Sequence, residues 1–242
     1  MEPHKVVSQE EWLEASRELL KKEKEFTKAR DALSAERRKL PWVNVTANYV
    51  FDTTEGKKTL SDLFGKNSQL IVYHFMFAPG WKEGCPGCSF ISDHIDGARG
   101  HLIHHDVSFV VVSRAPLEEF LPYKKRMSWN FPWVSSAGCD FNRDYQVSFT
   151  EESIKSGHDM YNFEKGAAKK PGESPGVSIF YKGNRGDIFH TYSSYGRGPD
   201  LLIGAYNWLD LTPKGRNEDG NMGSWMKRHD EYEATQQLGF SG

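Results

Sequence analysis

Two cysteines separated by two residues, Cys85 and Cys88, constrain this sequence more than any other feature. They follow an apolar run, Gln69 to Pro79, whose β-branched and aromatic residues are typical of a buried strand. They precede Ser89 to His105, a segment compatible with a helix. A thiol at a helix N-terminus faces unpaired backbone N–H groups and the positive end of the helix dipole, and both favour the thiolate. The spacing therefore predicts a redox pair, in which Cys85 attacks a disulfide or peroxide and Cys88 resolves the mixed disulfide.

The composition describes a chain that can bury a core and has no strong charge. It has 242 residues, of which 38% are hydrophobic, and its formal net charge is −2. A charge this close to zero gives no reason to expect binding to nucleic acid or to an anionic membrane. No apolar run approaches the roughly 18 residues of a membrane helix, and Met1 to Glu11 contains no apolar signal-peptide core. Together with only three cysteines, these features favour a reducing cytoplasm.

The first predicted element is a long polar helix from Ser8 to Leu40, which makes residues 1–41 an N-terminal helical extension. Ser8 and Glu11 match the capping-box pattern at its start, and Pro41 ends it. Apolar residues recur at every seventh position and form one narrow stripe, namely Trp12, Leu19, Phe26, Leu33 and Leu40. We expect this stripe to pack along its own domain; a homodimer through it is the alternative, although the second stripe that a coiled coil needs is poor.

The elements after this helix follow an order that predicts the fold. In chain order they are a strand (Val43–Phe51), a short helix (Thr59–Phe64), a strand (Gln69–Phe77), the cysteine pair with its helix, a strand (Val107–Val112), a helix (Pro116–Met127), an antiparallel hairpin (Val177–Tyr181 and Asp187–Tyr192) and a helix (Leu201–Leu209). A β-α-β unit with the cysteines at its crossover, followed by a hairpin and a helix, is the topology of the thioredoxin fold. We therefore predict an α/β, thioredoxin-like three-layer domain over residues 42–212, with an insertion at about 136–174 before the hairpin and a C-terminal tail at 213–242.

A proline lies just before the third core strand of this predicted domain. In the thioredoxin fold that place faces the cysteine pair, and its proline usually adopts the cis form. Pro175, in the sequence Ser174-Pro175-Gly176-Val177, occupies this place. We expect Pro175 to be cis and to shape the substrate groove opposite Cys85 and Cys88.

Zinc binding is the competing interpretation of the cysteine pair. Four histidines follow it, His94, His101, His104 and His105, and two Cys with two His is a frequent zinc set. Along a continuous helix, however, Cys88 and His101 would lie roughly 20 Å apart. A shared metal would need a break at Gly97 or Gly100, so we predict no metal and no other cofactor. His74, within the core strand, is expected to be a hydrogen-bonded core residue.

A thiol peroxidase is the alternative enzyme. The segment from Tyr49 to Leu63 is similar to the entry of peroxiredoxins, which carry Thr or Ser three residues before the peroxidatic cysteine. Here Lys82 stands three residues before Cys85, so the hydroxyl that would orient the peroxide is missing from that place. The third cysteine, Cys139, lies in the insertion and is expected to be an ordinary buried residue, or a second resolving thiol if the insertion folds over the pair.

Aromatic and cationic residues near the predicted site suggest a substrate pocket. Trp81 lies close before the pair, where it either borders the active site or covers the helix end. The second hairpin strand and the turn after it carry His190, Tyr192, Tyr195 and Arg197. Polar aromatics with an arginine suit an organic anion. These five residues are either a pocket beside the cysteines or, for the hairpin residues, an edge strand running into a turn.

Several motifs extend the resemblance from the fold to a family. They are Phe189-His190-Thr191-Tyr192-Ser193-Ser194-Tyr195-Gly196-Arg197-Gly198, the run from Leu201 to Arg216, the stretches Phe141-Asn142 and Val147-Ser148-Phe149, the early Val6-Val7-Ser8, and Trp225 to Tyr232. Together they resemble a bacterial family known as domain of unknown function 899, over nearly the whole chain. The resemblance implies a thioredoxin-like domain with long family-specific additions, and it implies no particular substrate.

The leading hypothesis is a cytoplasmic thiol–disulfide oxidoreductase in which Cys85 attacks, Cys88 resolves and Pro175 shapes the groove. Its partner would be a protein or a small-molecule thiol or disulfide. Two alternatives stay open: a thiol peroxidase that uses Cys85, and a binding protein whose cysteine pair holds a metal or is vestigial.

Overall fold

The computed structural model describes residues 4–218 and 223–232, and the chain divides into two compact units, Met1–Trp42 and Val43–Gly242. The first unit contains helix α1 (Gln9–Arg37), which begins with the predicted capping box: the Ser8 hydroxyl accepts the Glu11 N–H, and the Glu11 carboxylate accepts the Ser8 N–H. No residue of α1 is buried.

The second unit is built on one large sheet with helices on both faces. Its helices are α2 (Leu60–Leu63), α3 (Pro86–Ser92), α4 (Ile95–His104), α5 (Leu117–Arg126), α6 (Phe141–Asp144), α7 (Glu151–Lys155) and α8 (Gly204–Leu209), with short 3-10 turns at Gly198–Leu202 and His229–Glu231. Its strands are β1 (Val43–Asn44), β2 (Val50–Thr53), β3 (Gly56–Thr59), β4 (Gln69–His74), β5 (Val107–Ser113), β6 (Trp133–Ser135), β7 (Ser148–Phe149), β8 (Met160–Tyr161), β9 (Glu164–Lys165), β10 (Gly172–Glu173), β11 (Gly176–Lys182) and β12 (Ile188–Tyr195). None of the helices within the described ranges has both the length and the apolar character needed to cross a membrane.

The strand order confirms the predicted thioredoxin-like α/β fold. The large sheet runs β1-β12-β11-β4-β5-β6-β2-β3. Strands β4 and β5 are parallel and are joined through α3 and α4, whereas β11 runs antiparallel to both β4 and β12. The cysteine motif therefore lies where the β4 chain leaves the sheet and enters the first crossover helix.

The side chains of β4 alternate between two faces of the sheet, as the pleat requires. Tyr73 and Phe75 point to one face, where they pack with Cys88 and the residues of α5. We call this the thiol face. Leu70 and Val72 point to the other face, which we call the opposite face, where they pack with α2 and α6. The predicted core histidine, His74, also lies on the opposite face, and its Nε2 hydrogen-bonds to Ser178 Oγ at 2.9 Å.

The segment after the cysteines differs from the single helix that the sequence suggested. It forms two helices, α3 and α4, because Asp93 and His94 interrupt the helix. The Asp93 carboxylate accepts a hydrogen bond from Trp129 Nε1 at 2.9 Å and pairs with His229 Nδ1 at 2.7 Å. These tertiary partners hold the break in place, and no local pattern in the sequence encodes them.

The insertion predicted at about 136–174 contains short helices and strands of its own, from α6 to β10. A buried carboxylate ties it to the core. Glu173 accepts hydrogen bonds from Arg114 Nε at 2.6 Å and from Ser148 Oγ at 3.0 Å. Through β10 and this ion pair, the insertion leads the chain directly into β11.

Candidate active site

Cys85 is the N-cap residue of α3, so its sulfur lies beside the free backbone N–H groups of the first helical turn. Interaction with the Cys88 thiol lowers the pKa of Cys85 to about 6, helped by the backbone N–H groups of Cys88 and Gly87 and by the charge of Arg228. Burial opposes this shift. A thiol with such a pKa is largely thiolate at neutral pH, which is the nucleophilic form.

The environment of Cys88 differs from that of Cys85, because Cys88 is buried. It is 2% exposed and lies in the core of the thiol face, where its sulfur accepts the Met76 N–H at 3.4 Å. Burial raises the pKa of Cys88 well above that of a free thiol. All three cysteines are free thiols in this structure. The pair thus combines a partly exposed thiolate with a buried, protonated thiol one turn further along the helix.

The loop before Cys85 is packed tightly against the thiol face. A Cβ at Gly84 would lie 2.6 Å from the Phe75 ring and 2.7 Å from the Tyr123 ring, so this position requires glycine. The Cys85 N–H donates to the Met76 carbonyl oxygen at 3.4 Å. Trp81 is 37% exposed and packs beside Phe77, in the chain that leads from β4 to the cysteines.

Two tyrosines that the sequence did not single out lie at the cysteine pair. Tyr73 is 1% exposed, and its hydroxyl has no hydrogen-bond partner among the described residues, although it interacts with Cys88 and Cys85. Tyr161, from the insertion, interacts with Cys88 and Tyr73. The alternation of β4 could have indicated Tyr73, because it faces the same side as Phe75; no pattern indicated Tyr161.

Pro175 lies directly before β11, as predicted, but its peptide bond is trans, since the described residues contain no cis peptide bond. The predicted cis form is therefore wrong. The chain enters Pro175 from an extended ladder, in which Ser174 N–H donates to the Val147 carbonyl at 2.8 Å, and no tight turn is needed. The Tyr161 hydroxyl donates to the Pro175 carbonyl at 2.8 Å and accepts the Gly196 N–H at 3.0 Å.

The suggested pocket of hairpin residues is not formed. A bulge in the pairing of β11 with β12 places Tyr192 opposite Ile179, on the thiol face, and His190 opposite Phe180. His190 therefore packs on Tyr145 on the opposite face and hydrogen-bonds to Ser193 Oγ at 2.7 Å.

Tyr195 and Arg197 also have partners away from the cysteines. The Tyr195 hydroxyl donates to the Tyr145 carbonyl at 3.1 Å, on the opposite face. Arg197 forms an ion pair with Asp200 at 3.0 Å. Tyr195 therefore packs at the end of β12 and Arg197 is exposed beside it, so the four hairpin residues do not converge on one pocket.

Cys139 is also on the opposite face, where it packs on the core of that side. It lines a cavity of about 250 Å³ together with residues of the β4, β5 and insertion loops, among them Pro79, Arg114 and Asn142. Its side chain is partly buried, and it lies across the sheet from the Cys88 core. The geometry gives Cys139 no role as a second resolving thiol.

The histidines after the pair do not converge on it. His101, His104 and His105 are exposed at the end of α4, and His94 Nε2 accepts the Ala205 N–H at 3.4 Å. Within residues 4–218 and 223–232, no group of three or more His, Cys, Asp or Glu side chains is arranged to hold a metal ion.

Solved structures similar to this chain include peroxiredoxins. A cysteine-to-serine mutant of Xanthomonas campestris peroxiredoxin Q is 13% identical and has a TM-score of 0.47, with 70% of this chain and 98% of that chain covered. A mutant of Xylella fastidiosa peroxiredoxin Q is 15% identical, with a TM-score of 0.45 and coverage of 70% and 94%. Peroxidoxin BcpB from Mycobacterium tuberculosis is 13% identical, with a TM-score of 0.45 and coverage of 70% and 97%. Similarity at this level indicates nothing about the reaction.

Sequence comparison identifies the family. No curated protein matches the chain. Residues 1–232, which include α1, the cysteine motif, the insertion and the segment after α8, match a family described as "Bacterial protein of unknown function (DUF899)". With this match over nearly its whole length, the chain belongs to the bacterial family DUF899.

Proposed function

We propose that this protein is a thiol–disulfide oxidoreductase in which Cys85 attacks and Cys88 resolves. The observation that carries the proposal is the asymmetry of the pair. The Cys85 pKa is lowered to about 6 by the Cys88 thiol and neighbouring N–H groups, whereas burial raises the pKa of Cys88. Two-step disulfide exchange needs a thiolate that attacks the substrate and a protonated thiol nearby that attacks the mixed disulfide afterwards.

The reaction follows from this arrangement. The Cys85 thiolate attacks one sulfur of a substrate disulfide, forms a mixed disulfide and releases the first substrate thiolate. Cys88 then attacks Cys85 Sγ, forms the Cys85–Cys88 disulfide, and its proton goes to the second substrate sulfur as that sulfur leaves. The substrate gains two electrons, and an external dithiol returns them to the protein in a later exchange.

The substrate in this proposal is a disulfide on a protein or a small molecule in the cytoplasm, and the surroundings of the pair support a groove for it. In support of this groove, Gly176 pairs with His74, so Pro175 is the residue just beyond the end of β4 in the register of β11. Val177 packs in the same core as Cys88. Pro175 and Tyr161 would then form one wall of the substrate groove.

Peroxide reduction would start from the same Cys85 thiolate. The residue three positions earlier, where peroxiredoxins carry a hydroxyl, is the exposed Lys82. Peroxide turnover is therefore the runner-up, and a metal-holding or vestigial pair is the remaining alternative. The three are separated by one set of experiments.

The test equilibrates the Cys139→Ser protein in glutathione redox buffers and counts disulfides by alkylation and mass spectrometry. We expect one two-electron transition that links Cys85 to Cys88. With an added disulfide such as oxidised glutathione, Cys88→Ser should accumulate a mixed disulfide on Cys85, and Cys85→Ser should accumulate none.

Three results would contradict the proposal. The first is the absence of a Cys85–Cys88 disulfide in the oxidising buffer. The second is equal trapping by the two serine variants. The third is rapid consumption of hydrogen peroxide, with sulfenic acid on Cys85, in a protein that does not react with disulfides. Tightly bound zinc in freshly purified protein would favour the metal alternative.

A further inference from the structure

The segment of residues 223–232 lies against the cysteine motif. The Trp225 ring meets Phe90 of α3 edge-on, with ring centroids 5.6 Å apart. Trp225 and Met226 also pack on the small apolar cluster that α3 and α8 share. These contacts show that the segment docks on α3, the helix whose N-cap is Cys85.

Arg228 is the residue of this segment that reaches the loop before Cys85. Its Nη2 and Nε donate to the Gly84 carbonyl at 2.8 and 3.2 Å. Its Nη1 lies 2.7 Å from Glu231 and 3.3 Å from Glu83. The side chain is only 14% exposed, so this fork of hydrogen bonds is largely shielded from water.

Met226 lies beside the first turn of α3. Its sulfur is 3.8 Å from the position that a Cβ on Gly87 would occupy, and Cys85 Sγ is 3.9 Å from that same position. Both sulfurs therefore border Gly87, and a side chain at that position would contact the Met226 thioether and Cys85 Sγ. Met226 is therefore an apolar neighbour of the space beside Cys85.

The segment is held at two further points. Arg126, at the end of α5, hydrogen-bonds to Asp230 at 2.6 and 3.1 Å and also pairs with Glu83. His229 Nδ1 lies 2.7 Å from Asp93, at the break after α3. The position of Arg228 is thus fixed from both sides of the motif.

We propose that residues 223–232 complete the redox site: Arg228 holds the Gly84 turn in place and supplies the positive charge that the Cys85 thiolate faces, and Met226 forms the adjoining apolar wall. The inference rests on the proposed function, since it concerns the same thiolate. Arg228 is a positioning residue, because it acts on Cys85 through the loop and through its field. The other titratable groups are Cys88 and Tyr73 at Cys85, and Tyr123, Glu83 and Glu231 at Arg228, where the two carboxylates partly offset its charge.

The test measures the rate at which iodoacetamide alkylates Cys85 between pH 4 and 9 in the full-length Cys139→Ser protein. Arg228→Met removes the charge and the hydrogen-bond fork. We expect it to slow alkylation at pH 6 several-fold, up to about tenfold, the equivalent of one pKa unit. Arg228→Lys keeps the charge and should stay closer to the parent protein. Lys227→Gln removes a neighbouring exposed charge of the same segment and is the matched control.

The Glu231→Gln variant distinguishes an electrostatic role of Arg228 from a purely structural role. It removes one counter-charge of Arg228, so the electrostatic role predicts unchanged or faster alkylation at pH 6. If the segment served only to hold the loop, Arg228→Met and Glu231→Gln would both slow the reaction, and the proposal would be overturned. It would also be overturned if Arg228→Met matched Lys227→Gln, or if Arg228→Lys were as slow as Arg228→Met.

Failure of this inference and failure of the proposed function give different results. If Cys85 and Cys88 form their disulfide in redox buffers but the alkylation rate of Cys85 does not change in the Arg228 variants, only the inference fails. If the disulfide does not form in the parent protein, the proposed function fails, whatever Arg228 does to the pH profile.

Discussion

The Tyr73 hydroxyl is buried beside the Cys88 thiol and has no hydrogen-bond partner in the part of the chain that the structure describes. Cys88 must become nucleophilic to resolve a mixed disulfide, yet burial raises its pKa. The Tyr73 hydroxyl acts in the opposite direction and lowers the pKa of Cys88. A hydroxyl that can turn toward a developing thiolate compensates for part of the desolvation of that sulfur.

Tyr73→Phe should therefore slow resolution and leave the first attack unchanged. Losing a hydrogen bond of about 1 kcal/mol corresponds to a roughly fivefold slower second step. The measurement is the lifetime of the mixed disulfide that Cys85 forms with a chromogenic thiol, determined on samples that are quenched rapidly at successive times. Tyr195→Phe, which removes a hydroxyl on the opposite face, is the control. An unchanged lifetime in Tyr73→Phe would remove Tyr73 from the mechanism.

The pH dependence of the reduced protein follows from Cys85. Its native pKa is about 6, against 9.0 for an ordinary thiol. Between these values the unfolded chain binds more protons at Cys85 than the native protein does. Stability from this group is therefore fully present above pH 9 and is lost as the pH falls toward 6.

We expect the free energy of unfolding of the reduced protein to rise between pH 6 and 9 relative to Cys85→Ser, which lacks the titrating group. Urea unfolding in the presence of a phosphine reductant measures this difference. The oxidised protein has no thiolate at this position and should show no such rise. If the free energy of unfolding depends on pH in the same way for the reduced parent protein and for Cys85→Ser, the pKa of Cys85 is not lowered.

Gly84 is the position where a single methyl group should disturb the site most. A Cβ there would lie 2.6 Å from Phe75 and 2.7 Å from Tyr123, both of them buried rings. Gly84→Ala should cost about 1–3 kcal/mol of unfolding free energy and displace the carbonyl that Arg228 binds. Gly97→Ala, on the exposed side of α4 with open space around it, should be neutral or stabilising by up to about 1 kcal/mol. Equal stabilities for the two variants would contradict the close packing at Gly84.

The fold could be predicted from the sequence because the patterns that indicate it each lie within a short segment. The apolar run of β4, the cysteines before a helix and the turn of the β11–β12 hairpin are each contained in a short stretch of chain. The groove proline was also placed correctly before β11, although its predicted cis form was wrong, since the ladder of the insertion delivers the chain already extended.

The site itself depends on contacts that no local pattern contains. Arg228 binds Gly84 across 144 positions of sequence, and Tyr161 reaches Pro175 from the insertion. The hairpin pocket failed for a different reason. His190 and Tyr192 are two positions apart and would share a face in a regular strand, but the bulge between them turns His190 to the opposite face.

The ion pair of Arg114 with Glu173 fastens the insertion to the core. The Glu173 side chain is 2% exposed and has Arg114 Nε at 2.6 Å, Ser148 Oγ at 3.0 Å and Asn142 Nδ2 at 3.4 Å. Removing the arginine alone leaves a buried carboxylate without its counter-charge. Arg114→Met should therefore cost about 1–3 kcal/mol of unfolding free energy, less than for a fully buried pair because the Arg114 side chain is 39% exposed.

The double variant Arg114→Met with Glu173→Met removes both charges and should recover a large part of that loss, because no unpaired charge stays buried. Urea unfolding of the four proteins of this cycle gives the coupling energy between the two side chains. Lys155→Met, which breaks the exposed pair with Glu151, should change the free energy of unfolding by less than about 1 kcal/mol. If the double variant is less stable than Arg114→Met, the carboxylate of Glu173 holds the insertion through Ser148 and Asn142, and the arginine is not its main partner.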